Sequence, residues 1–158
     1  MNKTVFLTGG TGNMGWAGFQ ELLKRRRFHI RLLARDSRKN RKKLSPYISN
    51  PYVTVIWGDL TCYDDVLKGV QGSDYVLHVG GMVSPAADYY PEKTLKVNVA
   101  AAENVVKAVL AQPNASEIKV VYIGSVAQYG DRNPPCHWGG SDEPQDPAKF
   151  DMYALSKI

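Results

Sequence analysis

The feature that most constrains the fold of this chain is a glycine-rich turn that follows its first apolar run. Thr4–Gly9 (TVFLTG) is typical of a buried strand, and the turn TGGTGNMG precedes a helical pattern over Asn13–Arg27. A turn without side chains lets a pyrophosphate approach the backbone, and the next helix offers its N-terminal N–H groups to the phosphates. This order predicts a dinucleotide-binding turn. The predicted cofactor contacts are Gly9, Gly12, Asn13, Met14 and Gly15.

Short apolar runs alternate with helical patterns along the rest of the chain. Further strands are predicted over His29–Arg35, Tyr52–Asp59, Asp74–Gly81 and Ile118–Ser125. Strands that alternate with helices form a parallel sheet with right-handed crossovers. The sequence therefore predicts an α/β fold, a doubly wound parallel sheet of the Rossmann type with about five strands.

The later helical patterns place the remaining elements. Helices are predicted over Tyr63–Val70, capped by Thr61, over Pro91–Ala111, and from near Phe150 onward. The positions of the long helix expected to face the core are Leu95, Val99, Val105, Val106, Val109 and Leu110. Asn133–Pro147 contains four prolines and is predicted to be a loop.

Composition limits the classes of protein this can be. The chain has 158 residues, 44% of them hydrophobic, which is typical of one soluble globular domain. No apolar run approaches the roughly 20 residues that a membrane helix needs, and no secretory signal is visible, so we expect a cytoplasmic protein that does not bind membranes. Two distant cysteines are expected to be free thiols.

Positive charge is concentrated in one region. Eleven Lys or Arg residues and a single acid, Asp36, lie between Lys24 and Lys43. A nucleic-acid patch, a solvated helix and a phosphate site are the three interpretations, and we expect no nucleic-acid partner because short basic runs are common by chance.

The end of the second predicted strand bears on the choice of cofactor. In dinucleotide folds an acid there binds the ribose 2′-hydroxyl of NAD, whereas a nearby arginine accommodates the 2′-phosphate of NADP. Ala34 falls at the position of the acid and Arg35 follows it, with Arg38 close by. This favours NADP; the alternative places Asp36 on the ribose and favours NAD.

Three side chains suggest proton-transfer chemistry. Tyr153 and Lys157 are four residues apart on a predicted helix and share one face. A phenol has a pKa of about 10, and a nearby ammonium lowers that pKa by stabilising the phenolate. Ser125 ends the fifth predicted strand, at the sheet edge where ligands bind, and could bond a substrate oxygen.

Six segments, in order, resemble the extended short-chain dehydrogenase/reductases, the group that includes the NAD-dependent epimerase/dehydratases. The first, TGGTGNMG, resembles TGxxGxxG. GDLT resembles the segment with the acidic dipeptide near the adenine. LHVGG resembles the HxAA motif at a strand end, and KVNVAA resembles the NVxGT motif. GSVAQYG resembles SSxxxYG, and DEPQDP with YALSK resembles ExxPxxPxxxYxxSK. These segments carry Asp59, Leu60, Gly80, Asn98, Ser125, Tyr153 and Lys157.

The resemblance implies a mechanism and a set of ligands. Tyr153 would be the acid/base, Lys157 would lower its pKa and bind the nicotinamide ribose, and Ser125 would position the substrate oxygen. Asp59, Leu60 and Gly80 would contact the cofactor, and Asn98 would be the structural asparagine. Glycines replace the alanines of the HxAA motif at Gly80 and Gly81, which we expect to enlarge the space beside the cofactor.

The substrate stays open at this point. A small molecule is expected, and the Y-G and E-x-x-P segments favour a nucleotide-sugar epimerase, dehydratase or reductase. LLARD and HVGGMVSP favour an NADP-dependent reductase of ketones, aldehydes or steroid-like alcohols, and a non-catalytic redox sensor is the third class. The resemblance also implies a homodimer. His78, Cys136 and His137 match no recurring metal site, so no metal ion is expected.

The motif YALSKI stands at the end of the sequence. The resemblance and usual domain sizes predict that the chain is the front half of a protein roughly twice this length, lacking a C-terminal substrate domain. The fifth strand would otherwise be an open parallel edge, and the last helix would fray beside Lys157. We therefore expect a chain that truly ends at Ile158 to be inactive.

Overall fold

The computed structural model of the chain describes residues 3–130, 145 and 151–158. It contains two compact units, Met1–Gly80 with Ala100–Ile123 and Gly81–Val99 with Gly124–Ile158, hereafter the first and second units. Of the predicted loop over Asn133–Pro147, all but Gln145 lies outside the described residues.

The first unit is built on a parallel sheet of five strands. They are β1 (Lys3–Thr8), β2 (Phe28–Ala34), β3 (Val53–Trp57), β4 (Tyr75–His78) and β5 (Lys119–Tyr122). Their order is β3-β2-β1-β4-β5, with Thr8 in register with both Leu33 and His78. Because the order reverses at β1, the carboxyl end of β1 is the switch point at which such sheets bind ligands. The predicted fold class is confirmed.

Six α-helices lie in the described parts of the chain. They are α1 (Asn13–Arg25), α2 (Arg38–Leu44), α3 (Tyr63–Val70), α4 (Ala86–Tyr89), α5 (Pro91–Leu110) and α6 (Met152–Leu155). Alternate strand residues point to opposite faces. Leu32 therefore packs in one core cluster with Phe19 of α1 and Leu44 of α2, whereas Leu33 packs in another with Val66 of α3 and Val105 of α5.

Two predictions about these helices were wrong in detail. Cys62, not Thr61, is the N-cap of α3, because the Thr61 N–H and hydroxyl both donate to Asp59 Oδ1. Among the six apolar positions predicted to be buried on α5, Val105 and Val109 are buried, but four are exposed. The exposed four are Leu95, Val99, Val106 and Leu110.

The most basic segment, Arg38–Lys43, lies in helix α2, in agreement with the interpretation of this region as a solvated helix. Its N-cap is Ser37, whose hydroxyl accepts a hydrogen bond from the Asn40 N–H at 3.2 Å. No helix within the described parts of the chain is long and apolar enough to cross a membrane.

The second unit contains α4, the first two turns of α5, and α6. The buried Thr94 hydroxyl joins the first two of these, because it donates to the Ala87 and Tyr90 carbonyls at 3.0 and 2.9 Å. Helix α6 is short, and its N-cap Asp151 accepts a hydrogen bond from the Ala154 N–H at 2.8 Å. The buried Ala154 and Ser156 anchor it to this unit.

Candidate functional site

The glycine turn, Thr8–Gly15, is closed by backbone contacts that leave no room for side chains. Gly9 has a φ of +70°, a conformation that favours glycine, and its carbonyl accepts a hydrogen bond from the Gly12 N–H at 2.9 Å. A Cβ on Gly15 would overlap that same carbonyl oxygen. Two of the three motif glycines are therefore required by the turn itself.

The remaining glycine is not required by protein packing. A Cβ on Gly12 would meet only the Gly9 carbonyl oxygen, at 3.4 Å. Gly12, Asn13 and Met14 are exposed, no side chain caps α1, and no acid lies in its first turn. An open, uncapped N-terminus with free space over Gly12 fits the approach of a pyrophosphate.

The carboxyl end of β4 packs directly against the glycine turn. The buried Thr8 hydroxyl accepts a hydrogen bond from the Gly80 N–H at 3.1 Å and lies 2.8 Å from His78 Nδ1. A Cβ on Gly80 would meet the Leu60 side chain at 2.6 Å and the Gly9 nitrogen at 3.1 Å. The expectation that Gly80 enlarges an open space was wrong, because Leu60 and the turn fill it.

In the second unit, Gly81 is similarly restricted. A Cβ there would meet Asn98 Oδ1 at 2.9 Å and Lys157 Nζ at 3.8 Å. The space over Gly81 is therefore bordered by the side chains of Asn98 and Lys157, and the enlargement expected at this position stays a prediction.

Sequence reasoning missed the roles of Thr8 and His78 as anchors of this strand end. Their signal was present, because a threonine directly before the glycines and a histidine before the strand end are polar residues at positions where a buried strand is otherwise apolar. Both are almost fully buried, at 0% and 3% exposure.

The end of β2 presents positive charge. Ala34 is buried, whereas Arg35 and Arg38 are exposed. Asp36 forms a two-point ion pair with Arg41, with Nε–Oδ1 and Nη2–Oδ2 distances of 2.5 and 2.6 Å. These hydrogen bonds hold the pKa of the Asp36 carboxyl below its usual value.

A lysine that the sequence analysis did not single out also contacts the glycine turn. Lys43 Nζ donates to the Thr11 carbonyl at 2.9 Å and lies 4.1 Å from the centre of the Trp16 ring. The ring and the carbonyl hold the ammonium at this place. A positive charge beside the turn adds to its attraction for phosphate.

The acidic dipeptide follows β3. Asp59 Oδ1 accepts from the Thr61 N–H and hydroxyl at 2.8 and 2.7 Å, and its own N–H donates to Asp65 at 3.1 Å. The hydrogen bond from this N–H is the main reason why the pKa of the Asp65 carboxyl is lowered. The Leu60 carbonyl accepts a hydrogen bond from Asn104 Nδ2 at 2.9 Å, which holds the dipeptide against α5.

The second unit contains all three predicted catalytic side chains. Ser125 is the N-cap of a 3₁₀ turn over Val126–Tyr129, and its Oγ accepts a hydrogen bond from the Ala127 N–H at 3.2 Å. Tyr153 lies on α6, but Lys157 lies two residues beyond the end of that helix, so the prediction that one helix carries both side chains was wrong. Lys157 Nζ is nevertheless 5.6 Å from the centre of the Tyr153 ring. Burial lowers the pKa of the Lys157 ammonium.

A buried asparagine holds this helix in place. Asn98 accepts from the Met82 N–H at 2.7 Å and donates to the Met82 carbonyl at 2.9 Å and to Ser156 Oγ at 2.7 Å. Ser156 in turn donates to the Tyr153 carbonyl at 2.8 Å. Asn98 is therefore structural here, and Ser156, which the sequence analysis did not name, links it to Tyr153.

Comparison with known proteins identifies the family. A model of the NAD dependent epimerase/dehydratase family matches residues 5–158. The chain belongs to that family. It is 31% identical over 130 residues to UDP-glucose 4-epimerase of Rickettsia akari (strain Hartford), a match that covers 79% of this chain and 37% of that protein. The chain thus spans little more than a third of the relative's length.

Solved structures share the fold at lower identity. The UDP-Glc/GlcNAc 4-epimerase of Campylobacter jejuni matches 99% of this chain and 46% of its own, with a TM-score of 0.80 and 18% identity. UDP-glucose 4-epimerase of Thermus thermophilus, in complex with NAD, matches 98% of this chain and 47% of its own, with a TM-score of 0.74 and 23% identity. At these identities the likeness concerns the fold.

Metal-binding residues do not gather within the described ranges, where no group of three His, Cys, Asp or Glu side chains could hold an ion. Cys136 and His137 lie outside those ranges. His78 bonds Thr8 and packs near the Tyr122 ring, with 5.6 Å between ring centres.

Proposed function

We propose that this chain is the NAD(P)-binding part of an enzyme that acts on a nucleotide sugar, as an epimerase, dehydratase or reductase. The observation that carries the proposal is the closeness of Lys157 Nζ to the ring of Tyr153, which lies on a helix held by Asn98 and Ser156, in a chain of this family. The UDP-glucose 4-epimerase relatives support a nucleotide-sugar substrate.

The proposed chemistry is proton transfer at a hydroxyl or keto oxygen. The Tyr153 phenolate, stabilised by the Lys157 ammonium, would take a proton from the substrate hydroxyl, and the phenol so formed would return a proton to the keto oxygen. Ser125 Oγ would hydrogen-bond the same substrate oxygen. The bound nicotinamide supplies the hydride acceptor and donor for the adjacent carbon.

The proposed cofactor contacts fall into three groups. Gly9, Gly12, Asn13, Met14 and Gly15 would receive the pyrophosphate, Asp59 and Leu60 the adenine, and Gly80, Tyr153 and Lys157 the nicotinamide end. Asn98, whose amide is engaged with Met82 and Ser156, would support the nicotinamide end structurally. We further propose a preference for NADP, supported by the exposed Arg35 and Arg38 and by the engagement of Asp36 with Arg41. Tighter binding of NAD than of NADP would contradict this preference.

The test is turnover of UDP-glucose, UDP-N-acetylglucosamine and dTDP-glucose by the complete protein that contains this chain, with each nicotinamide cofactor. Tyr153→Phe removes only the hydroxyl, so we expect turnover to fall by roughly 10²–10⁴-fold while cofactor binding is kept. Cofactor binding without hydride transfer to any substrate would instead favour a redox sensor.

We also propose a homodimer in the cytoplasm. The support for association is the exposure of large apolar side chains on α5, where Val106 is 53% and Leu110 71% exposed. Light scattering during gel filtration measures the mass in solution, and a monomer at all concentrations would contradict the dimer.

A further inference from the structure

Asp36 is the only acid in the basic region, and its charge is fully engaged. It is the single Asp or Glu among the eleven Lys and Arg residues between Lys24 and Lys43. Arg41 meets both of its carboxylate oxygens, at 2.5 and 2.6 Å. A planar guanidinium that pairs with both oxygens compensates the carboxylate in a fixed geometry.

The backbone and a tryptophan fix both partners of this pair. Asn40 of α2 donates through Nδ2 to the Arg35 carbonyl at 2.8 Å, which holds the segment that carries Asp36. The Arg41 guanidinium lies 4.9 Å from the centre of the Trp57 ring, at the end of β3. Trp57 is in register with Ala34, the last residue of β2. The ion pair therefore lies just beyond the end of β2.

Beyond the second strand is the place where dinucleotide folds distinguish a ribose 2′-hydroxyl from a 2′-phosphate. An uncompensated carboxylate there accepts a hydrogen bond from the hydroxyl and repels the phosphate. A compensated carboxylate does neither. Among the described residues, the ion pairs do not include Arg35 or Arg38, so these charges add to a field that favours phosphate.

We propose that Arg41 is a specificity-determining residue that admits a 2′-phosphorylated dinucleotide by neutralising Asp36. The inference rests on the proposed preference for NADP. Arg41 acts on the cofactor through Asp36, and without it the same carboxylate would select the 2′-hydroxyl of NAD.

The pair can be removed without unfolding the protein. The Arg41 and Asp36 side chains are 56% and 52% exposed, and ion pairs at such exposure contribute little to stability. Thermal unfolding of each variant checks this. Lys42→Gln is the matched control, because it removes one positive charge from the adjacent position of the same helix, where the side chain is exposed.

The experiment is calorimetric binding of 2′,5′-ADP and 5′-AMP, which differ by the 2′-phosphate and need no turnover. Arg41→Gln is expected to lower the affinity for 2′,5′-ADP by roughly tenfold or more, whereas the affinity for 5′-AMP should stay the same. Asp36→Asn is expected to bind 2′,5′-ADP at least as tightly as the unmodified protein. In the double variant, affinity for 2′,5′-ADP should return to within about threefold of the original value.

Three results would overturn the role of Arg41. They are a double variant as weak as Arg41→Gln, an equal effect of Lys42→Gln, or an Asp36→Asn variant with weaker 2′,5′-ADP binding. Titrations with whole NAD and NADP separate this from the proposed preference. If the unmodified protein prefers NAD but Arg41→Gln still shifts the ratio toward NAD, the NADP preference fails and the role of Arg41 stands.

Discussion

The glycine turn of the first unit and helix α6 of the second are held in place by different forces. The turn depends on close backbone packing, since Gly9 and Gly15 have no room for a Cβ. Helix α6 depends on hydrogen bonds from two buried polar side chains, Asn98 and Ser156. The glycine turn should therefore be destabilised by substitutions that add atoms. Helix α6 should be destabilised by substitutions that remove a hydrogen-bonding group.

Gly15→Ala is expected to have the largest effect on stability, because the new Cβ would overlap the Gly9 carbonyl oxygen. Overpacking of this kind costs typically about 1–3 kcal/mol, and we expect the upper end because the obstacle is backbone. Urea unfolding measures the change. The matched control is Gly18→Ala on the same helix, where nothing lies within 4 Å of the added atom, so stability should stay the same or rise.

If the two glycine variants lost equal stability, the steric account of the turn would be wrong. Dinucleotide binding provides a second measurement, since the overlap at Gly15 would displace the N–H groups at the start of α1.

Asn98→Ala should have the next largest effect, a loss of about 1–3 kcal/mol of stability, because it leaves the partly buried Met82 N–H without its acceptor. Turnover should fall further than stability alone explains, since Ser156 and the Tyr153 carbonyl lose their support. The control is Asn104→Ala, which removes a hydrogen bond of the same helix to the Leu60 carbonyl. Equal loss of turnover in both variants would argue against a special role for Asn98 in holding α6.

The smallest effect is expected for Asp74→Asn, which tests a polar contact at the surface of the first unit. Asp74 accepts hydrogen bonds from Lys3 Nζ at 2.6 Å and from the Thr4 N–H at 2.7 Å. Both lower the pKa of the Asp74 carboxyl, and the bond from Lys3 has the larger effect. A lowered carboxyl pKa in the folded state stabilises the fold above the unfolded-state pKa, and this contribution is lost as pH falls through the folded pKa.

The unmodified protein should therefore be slightly more stable than Asp74→Asn at pH 7, and the two should converge in strong acid. Urea unfolding at both pH values measures the difference. A large gap at pH 7, or one that persists in acid, would show that this surface contact does more than an exposed ion pair can.

The sheet could be predicted from sequence because each strand is an apolar run bounded by turns, and the observed strands fall inside the predicted spans, with β1 and β2 each starting one residue earlier. Helix α5 could not be predicted so fully. Its small residues Ala101 and Ala108 face the core with Val105, because close packing on the sheet selects small side chains. The hydrophobic periodicity of α5 indicates two apolar stripes along the helix. It does not predict which of the two is buried against the sheet.

The polar details of the candidate site were also beyond the sequence. Thr61 has the residue type of a helix cap, but it lies one residue before the N-cap Cys62, and its N–H and hydroxyl both donate to Asp59. Gly80 suggested open space, yet Leu60, twenty residues earlier, fills it. Both outcomes depend on which side chain reaches a shared position, which is decided by three-dimensional packing and not by local pattern.

The contact between Lys43 and Trp16 gives the molecule an optical reporter. Indole fluorescence responds to a cation held over the ring, and this cation also bonds the Thr11 carbonyl of the glycine turn. We expect a ligand phosphate that draws the ammonium away from the ring to change the emission of Trp16, and a variant that keeps Trp16 as its single tryptophan would isolate that change. The lysine that strengthens the turn electrostatically would then report its occupancy without a label.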